Sequence, residues 1–233
     1  SEQLSALTTE QVVALTSVQI GALTTEAVSG FETDDLRALT SVQIGGLKSN
    51  QIGALGSDQV GGLGAGAFGA LRSSQLLGLT SDAADGLTTE QVSVLKSTQL
   101  GGLSNGVIGS LNSEQVSGFA TATVRGMTTL QIRSLATDAL VGLTTQQVAA
   151  ITSGQLAGLG TESLTAFATE DLAVLNGVQV RGLSSAQVGA LGTEDIVVLN
   201  SGAIRGLSSG ALGGVTSEQL SALTTEQVVA LTS

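Results

Sequence analysis

The side chains that could take part in acid–base chemistry are carboxylates and a few lysines, because the chain contains no His, Cys or Tyr. Adjacent carboxylates occur at Asp34 and Asp35, at Glu170 and Asp171, and at Glu194 and Asp195. Neighbouring residues of a helix do not face each other, so these pairs are not expected to form a catalytic dyad. We predict instead that they are first-turn charges that follow a Thr cap.

Other catalytic arrangements also lack their partners. A Ser or Thr nucleophile needs an activating base, and Lys48 and Lys96 are expected to lie on the surface. We therefore predict that the protein is not an enzyme and that it holds no cofactor. Stacked acids could bind calcium, but the chain contains no EF-hand loop and no glycine-rich calcium nonapeptide. Calcium is thus a secondary alternative, and no metal site is predicted.

The charge and composition of the chain restrict its partners. The 233 residues carry a net charge of −11 and include only eight Lys and Arg residues. Nucleic acid binding requires clustered basic residues, so nucleic acid is excluded as a partner. No run of about 20 apolar residues occurs, which is the length that a membrane-spanning helix requires. The apolar content of 42% is nevertheless sufficient to form a buried core.

An eight-residue repeat runs along the whole chain. Every eighth residue from Leu7 to Leu231 is apolar, and we number octad positions from this residue. Position 6 is also apolar, position 3 is nearly always Ser or Thr, position 4 is often acidic, position 5 is often Gln, and position 8 is small. The consensus is Leu-Thr-Thr-Glu-Gln-Val-x-Ala. About 29 octads of this kind occupy residues 1–233, which we predict to be one continuous solenoid.

The order of apolar and charged positions favours a short helix in each octad. In a strand, the charged position 4 and the apolar position 6 would share a face. In a helix, position 6 and the next position 1 form one apolar edge, while positions 4 and 7 point away from it. The hydroxyl at position 3 is then a suitable N-cap. One continuous helix is excluded, because its apolar stripe would rotate by about 80° in every octad.

A longer period of three octads indicates how the repeats stack. The segment from Leu15 to Gly21 recurs unchanged from Leu39 to Gly45, and Lys48, Arg72 and Lys96 recur at the same spacing. We predict an all-α repeat solenoid of short one-to-two-turn helices, with three octads in each coil and a triangular cross-section. Small residues at position 8 would allow the sides or the coils to approach closely. A three-sided β-solenoid is the alternative fold.

The same spacing places like charges above one another. Acids at position 4 are predicted to form one ladder on each face: Glu10, Asp34, Asp58 and Asp82 on the first, Glu90, Glu114, Asp138 and Glu162 on the second, and Glu170, Glu194 and Glu218 on the third. Basic residues follow a second path: Lys48, Arg72, Lys96 and Arg125 on the third face, then Arg133, Arg181 and Arg205 on the first. We predict that these residues make contacts between solenoids, because complementary charge sets the register of an interface.

The two ends of the sequence match. Residues 1–17 are identical to residues 217–233, and the offset between the two copies is a whole number of octads that corresponds to nine coils. Repeat proteins grow by duplication of their units. We therefore expect the chain to be one 216-residue super-repeat with a 17-residue overlap, taken from a longer array. Neither end shows a polar capping repeat, so further stacking is expected there.

Two resemblances support these expectations. Residues Leu7 to Ser17 (LTTEQVVALTS) resemble the opening helix of a TAL-effector repeat, which implies only that this string begins a helix. The whole chain is similar to the LTTxQVxAL octapeptide arrays of large secreted bacterial surface and filament proteins. That resemblance implies an extracellular, non-catalytic role at the cell surface and transfers no functional residue.

We therefore expect a structural protein that forms an extracellular filament or surface fibre by binding copies of itself, both end to end and side by side. The alternative is a binding module, either an adhesin stalk or an ice-binding rod that uses the Thr and Ser rows. Ice binding requires a flat, regular array, and position 2 is irregular at Lys48, Gly56, Arg72 and Asn112.

Overall fold

A computed structural model describes residues 8–231. The chain forms two compact units, Ser1–Gly126 and Met127–Ser233, and each is described by itself. Short helices follow one another in both units, and no strand occurs in residues 8–231. The predicted all-α repeat solenoid is confirmed, and the alternative of a β-solenoid is wrong. The single continuous solenoid and the 216-residue super-repeat remain predictions.

The helices have nearly the same length and spacing throughout. Those of unit 1 are Thr9–Val13, Ser17–Ala22, Thr25–Ser29, Thr33–Ala38, Ser41–Ile44, Ser49–Ile52, Ser57–Gly62, Ala65–Phe68, Ser73–Leu76, Ser81–Ala84, Thr89–Ser93, the 3₁₀ helix Ser97–Gly102, Asn105–Ser110, Ser113–Ser117 and Thr121–Gly126. Those of unit 2 are Thr129–Ser134, Thr137–Leu140, Thr145–Ala150, Ser153–Gly158, Thr161–Thr165, Thr169–Ala173, Gly177–Val180, Ser185–Ala190, Thr193–Val198, Ser201–Gly206, Ser209–Leu212, Ser217–Ala222 and Thr225–Leu231.

Each octad is a helix followed by a short extended corner. Thr33–Ala38 shows the pattern, because it lies between Glu32 (φ −75°, ψ 159°) and Leu39 (φ −66°, ψ 134°), which are both extended. The amide of Leu39 donates to the carbonyl of Leu36 at 3.3 Å, which tightens the end of the helix. Helices of this length are unstable alone, so their order must come from packing.

The helices pack at the predicted spacing of three octads. In unit 1, Thr33–Ala38 packs on Thr9–Val13 and on Ser57–Gly62. In unit 2, Gly177–Val180 packs on Ser153–Gly158 and on Ser201–Gly206. Each helix therefore contacts the helices three octads before and after it in its unit, and three octads make one coil. Positions 1 and 6, such as Leu39 and Leu36, are buried and form the core.

Small residues at position 8 allow adjacent coils to touch through their backbones. A Cβ added at Gly78 would overlap the carbonyl oxygen of Ser49, which belongs to the preceding coil. A Cβ at Gly53, which occupies position 7, would lie 2.8 Å from the carbonyl oxygen of Gly78. The predicted role of small residues in close approach is confirmed, and the approach is closest where a position-8 glycine meets the position-3 carbonyl of the preceding coil.

We expect Gly78→Ala to lower the stability of unit 1 by about 1–3 kcal/mol, because the added methyl group overpacks backbone against backbone. Gly66→Ala is the matched control, since nothing lies within 4 Å of a Cβ there. Gly66 is inside a helix, so its replacement should stabilise the protein by about 0.5–1 kcal/mol. Urea midpoints would measure both variants, and equal effects would contradict the packing role of Gly78.

Candidate functional site

The N-caps of the helices lie at octad position 2, one residue earlier than predicted. The hydroxyl of Thr40 accepts a hydrogen bond from the amide of Gln43 at 3.4 Å, and Thr24 caps Ala27 in the same way at 3.1 Å. The prediction of a cap at position 3 is wrong, because residues such as Ser41 already belong to the helix. Position 3 has a different role, since its backbone meets the position-8 glycines of the next coil, as Ser49 does with Gly78.

A buried glutamine at position 5 connects each coil to the one before it. The Oε1 atom of Gln75 accepts from the amide of Arg72 at 2.9 Å. Its Nε2 atom donates to the carbonyls of Leu47 at 2.7 Å and Ile44 at 3.1 Å, in the preceding coil. One side chain thus satisfies an unpaired amide at the start of its own helix and carbonyls at the end of another.

This bridge recurs at a constant distance along the sequence. Further glutamines donate through Nε2 to the carbonyl of the position-1 residue that lies 28 residues earlier, in the preceding coil. They are Gln43, Gln51, Gln59, Gln91, Gln99, Gln115, Gln155, Gln179, Gln187, Gln219 and Gln227. Two octads reach the same kind of carbonyl in another way. The hydroxyl of Thr123 donates to Leu95 at 2.7 Å, and the amide of Asn200 donates to Leu175 at 2.7 Å.

The sequence showed glutamine at this position but gave no sign of its role. A residue next to the apolar position 6 falls at the border of the buried edge, where a polar side chain is usually exposed. The sequence feature that could have indicated this role is the recurrence of glutamine at position 5 in octads that otherwise vary. A buried amide requires hydrogen-bond partners, and the neighbouring coil supplies them.

The paired carboxylates separate into an exposed and a buried member. Asp34 is exposed, whereas Asp35 occupies the glutamine position and is buried. The Oδ2 atom of Asp35 accepts from the amide of Glu32 at 3.1 Å, and its Oδ1 atom accepts from the hydroxyl of Thr9 at 2.8 Å. The predicted Thr cap is wrong for this helix, because its N-cap is Glu32. Glu170 and Glu194 are likewise exposed, and Asp171 and Asp195 are buried.

In unit 1, the predicted charge ladders lie on different faces. Glu10, Asp34, Asp58 and Asp82 belong to four successive helices of one stack, which we call the acidic ladder. Lys48, Arg72 and Lys96 precede three successive helices of another stack, which we call the basic ladder. All seven side chains are exposed. The stack between these two carries the uncharged residues Val18, Val42 and Gly66 at position 4 of its first three helices, and Glu90 and Glu114 in the next two.

The other predicted contact residues are also exposed. In unit 1 these are Glu90, Glu114 and Arg125. In unit 2 they are Arg133, Asp138, Glu162, Glu170, Arg181, Glu194, Arg205 and Glu218. Glu170, Glu194 and Glu218 lie on three successive helices of one stack, as predicted. Docking between solenoids through these residues remains a prediction.

The ladders keep most of their charge available to solvent. Asp34 forms an ion pair with Arg37 of its own helix at 2.8 Å, and both side chains are well exposed, so the pair adds little stability. The guanidinium of Arg72 donates to the carbonyl of Gly45 at 3.1 Å. This bond orients the side chain, and because the acceptor is neutral, it does not neutralise the charge of Arg72.

Two further kinds of site are absent from residues 8–231. No group of three or more His, Cys, Asp or Glu residues there is arranged to hold a metal ion. None of the helices there is long and apolar enough to cross a membrane.

The sequence pattern matches a known repeat. The profile of the ALTTAQ repeat matches residues 1–25, 28–65, 124–161, 164–201 and 196–233, which together make up well over half of the chain. The chain belongs to the ALTTAQ repeat family. Comparison with curated proteins gives no match. In this chain, the Gln of the ALTTAQ repeat is the residue that bridges coils, and its second Thr is the first residue of the helix, as at Gln43 and Ser41.

We expect Gln75→Ala to destabilise unit 1 by about 1–3 kcal/mol for each buried group that it leaves unpaired. Gln19→Ala is the matched control, because Gln19 accepts from the amide of Thr16 in the same way but is exposed. Its Nε2 atom has no acceptor in the described residues. Urea unfolding followed by circular dichroism would measure both variants, and an equal loss would show that the bonds between coils contribute nothing.

The octad with Asn200 and Ala203 permits a rescue experiment. Asn200→Ala should destabilise unit 2 by about 1–3 kcal/mol, because it removes the donor to Leu175 and the cap on Ala203. Adding Ala203→Gln should restore most of the lost stability. The new glutamine would be separated from Leu175 by the same number of residues as Gln75 is from Leu47. Thermal unfolding of the single and double variants would test this, and a double variant no more stable than the single one would contradict the equivalence of the two donors.

Proposed function

We propose that the protein is a non-catalytic structural protein whose copies associate side by side and end to end into an extracellular filament or surface fibre. The observation that carries this proposal is the pair of ladders in unit 1. The two ladders lie on different stacks of helices, with one acid in each of four successive coils and one base in each of three.

Each ladder would be more stable beside a ladder of opposite sign. Stacked like charges repel each other, and a neighbouring copy can supply the opposite charge at the same spacing, because both ladders follow the three-octad coil. A single exposed ion pair contributes only about 0–1 kcal/mol. Several pairs in fixed register contribute more, and they also select one alignment of the two copies.

The placement of the ladders favours open assembly. The acidic ladder of one copy would meet the basic ladder of the next, so the two contacting surfaces differ. Such heterologous contacts produce extended assemblies unless the rotation between copies closes a ring. This property is what a fibre requires.

Localisation outside the cell is part of the proposal and is supported by the similarity of the octads to arrays in secreted bacterial surface proteins. A second candidate is a binding module such as an adhesin stalk. The feature that favours it is the uncharged part of the stack between the two ladders of unit 1, where Val18 and Val42 are 80% and 74% exposed. An ice-binding rod has less support, because charged residues and glycine interrupt the exposed hydroxyls of position 2.

The ladders can be tested by exchanging their charges. Variant A carries Lys48→Glu, Arg72→Glu and Lys96→Glu, and variant B carries Glu10→Lys, Asp34→Lys, Asp58→Lys and Asp82→Lys. We expect each variant alone to associate at least tenfold more weakly than the unmodified chain at low salt, because its two faces now repel. A mixture of A and B should recover association, as measured by sedimentation velocity and electron microscopy.

Two controls make the result specific. Lys48→Arg, Arg72→Lys and Lys96→Arg together keep every charge and should leave association unchanged. Variant B has a net charge closer to zero than the unmodified chain, so general repulsion predicts stronger association for B, whereas ladder docking predicts weaker association. Unchanged association of A and B, or no gain on mixing, would refute lateral docking.

A further inference from the structure

One stack of helices in unit 2 has an acidic outer side. Glu170 and Glu194 occupy position 4 of the successive helices Thr169–Ala173 and Thr193–Val198, and both side chains are exposed. Each carboxylate accepts a hydrogen bond from the hydroxyl of the threonine before it, at 3.3 Å for Glu170 and 3.2 Å for Glu194. Neither forms an ion pair among the described residues. We call the outer side of these two helices the acidic surface.

A second stack of the same unit carries arginines on its outer side. Arg181 directly follows the helix Gly177–Val180, and Arg205 lies near the end of the next helix of the stack, Ser201–Gly206. Both occupy position 7 and both are exposed. Neither guanidinium forms an ion pair or a hydrogen bond among the described residues. We call this side the arginine surface, and its charges are available to a partner of opposite sign.

Each surface also has a row of uncharged residues three positions from its charges. On the acidic surface the row contains Ala173 and Val197 at position 7, and Val197 is 37% exposed. On the arginine surface it contains Val178 and Gly202 at position 4, and Val178 is 68% exposed. Residues three apart are neighbours on the surface of a helix, so a partner that meets the charges also meets this row.

Both surfaces lie on the sides of the coils. Each of their four helices packs on a helix before it and on a helix after it in the same stack. Their exposure therefore follows from the octad itself, because positions 1 and 6 turn inward and positions 4 and 7 point outward. A partner that covers these surfaces must approach from the side.

We infer that the acidic surface of one copy docks on the arginine surface of a second copy, with the solenoid axes of the two units parallel. The chain passes the facing sides of two parallel coils in opposite directions, so position 4 of each helix lies opposite position 7 of the other. Glu170 then faces Arg181 of the second copy, and Glu194 faces its Arg205. This inference rests on the proposed side-by-side assembly and adds a contact in unit 2.

The uncharged rows match in the same register. Ala173 lies opposite Val178 of the second copy, and Val197 lies opposite its Gly202, so each valine meets a smaller residue. The surfaces can therefore approach closely, bury apolar area and exclude water from the centre of the contact. With antiparallel axes, position 4 would lie opposite position 4, and each glutamate would face an uncharged residue.

Charge complementarity identifies the partner as a second copy. Glu170 and Glu194 are 24 residues apart, and so are Arg181 and Arg205. Both spacings correspond to one coil, so a second copy supplies opposite charges at the distance that these charges require. An isolated exposed ion pair adds little stability, but two pairs in register select one alignment of the copies. The two surfaces differ, so the contact is heterologous and compatible with extended assembly.

The register can be tested by cross-linking, because the chain contains no cysteine. A mixture of full-length Ala173→Cys and Val178→Cys chains should form a disulfide under mild oxidation, since the Cα atoms of a disulfide lie within about 7 Å of each other. Non-reducing electrophoresis would measure the yield. Two mixtures are controls for other alignments: Glu170→Cys with Val178→Cys reports antiparallel axes, and Val197→Cys with Val178→Cys reports a displacement by one coil. A yield from either control equal to or above that of the first mixture would overturn the register.

The charges can be tested in the same cysteine chains. Arg181→Glu with Arg205→Glu, added to the Val178→Cys chain, should lower the cross-linking yield at least tenfold. Glu170→Arg with Glu194→Arg, added to the Ala173→Cys chain, should do the same, because like charges then face each other. Mixing the two altered chains should restore the yield. Arg181→Lys with Arg205→Lys keeps both charges and is the matched control, with no change expected.

The outcomes separate this inference from the proposed function. If variants A and B show that the ladders of unit 1 drive association, but the Ala173→Cys and Val178→Cys chains do not cross-link, the contact in unit 2 is refuted and the proposed function stands. If the unmodified chain remains single in sedimentation velocity at low salt, the proposed function is refuted as well. Cross-linking that persists after the charge reversals would overturn the pairing of glutamates with arginines.

Discussion

The side-chain amide of the position-5 glutamine is the interaction on which the rest of the structure depends. Helices as short as these consist almost entirely of ends, so most of their backbone amides and carbonyls lack a partner within the helix. Where position 2 is Thr, Ser or Asn, its side chain satisfies one amide of the helix. The bridging glutamine satisfies another amide and up to three carbonyls of the preceding coil. Without it, stacking would bury unpaired polar groups, which is costly in an apolar interior.

This arrangement divides the octad into positions that determine the fold and positions that are free to vary. Positions 1, 5, 6 and 8 face the core or a neighbouring coil, and their side chains are restricted in size and chemistry. Positions 4 and 7 face solvent, and in unit 1 position 4 ranges from Asp58 to Val42 while the octad remains helical. The surface chemistry of each face can therefore change while the scaffold stays constant, which is how acidic, uncharged and basic stretches coexist in one unit.

The sequence predicted the features that follow from periodicity, namely short helices, three octads in a coil, a core at positions 1 and 6, and exposed charges. It misplaced the N-cap, because hydroxyl residues occupy both position 2 and position 3, and only the backbone conformation distinguishes them. It also missed the burial of Asp35 and Gln75. Their burial depends on groups in another coil, and a helical projection of one octad contains no information about a neighbour in the preceding coil.

The glutamine bridges share one direction along the chain. Gln43 reaches back to Leu15, Gln187 reaches back to Leu159, and each of the other bridging glutamines named above likewise donates to an earlier coil. A chain that emerges with its amino end first therefore always finds these acceptors already in place, so each new coil can order itself on the finished coil before it. Because the partners are close in sequence, the entropy of closing each loop is small. The bridges therefore permit the fold to grow vectorially, and the rate at which a coil forms should depend little on the number of octads that follow.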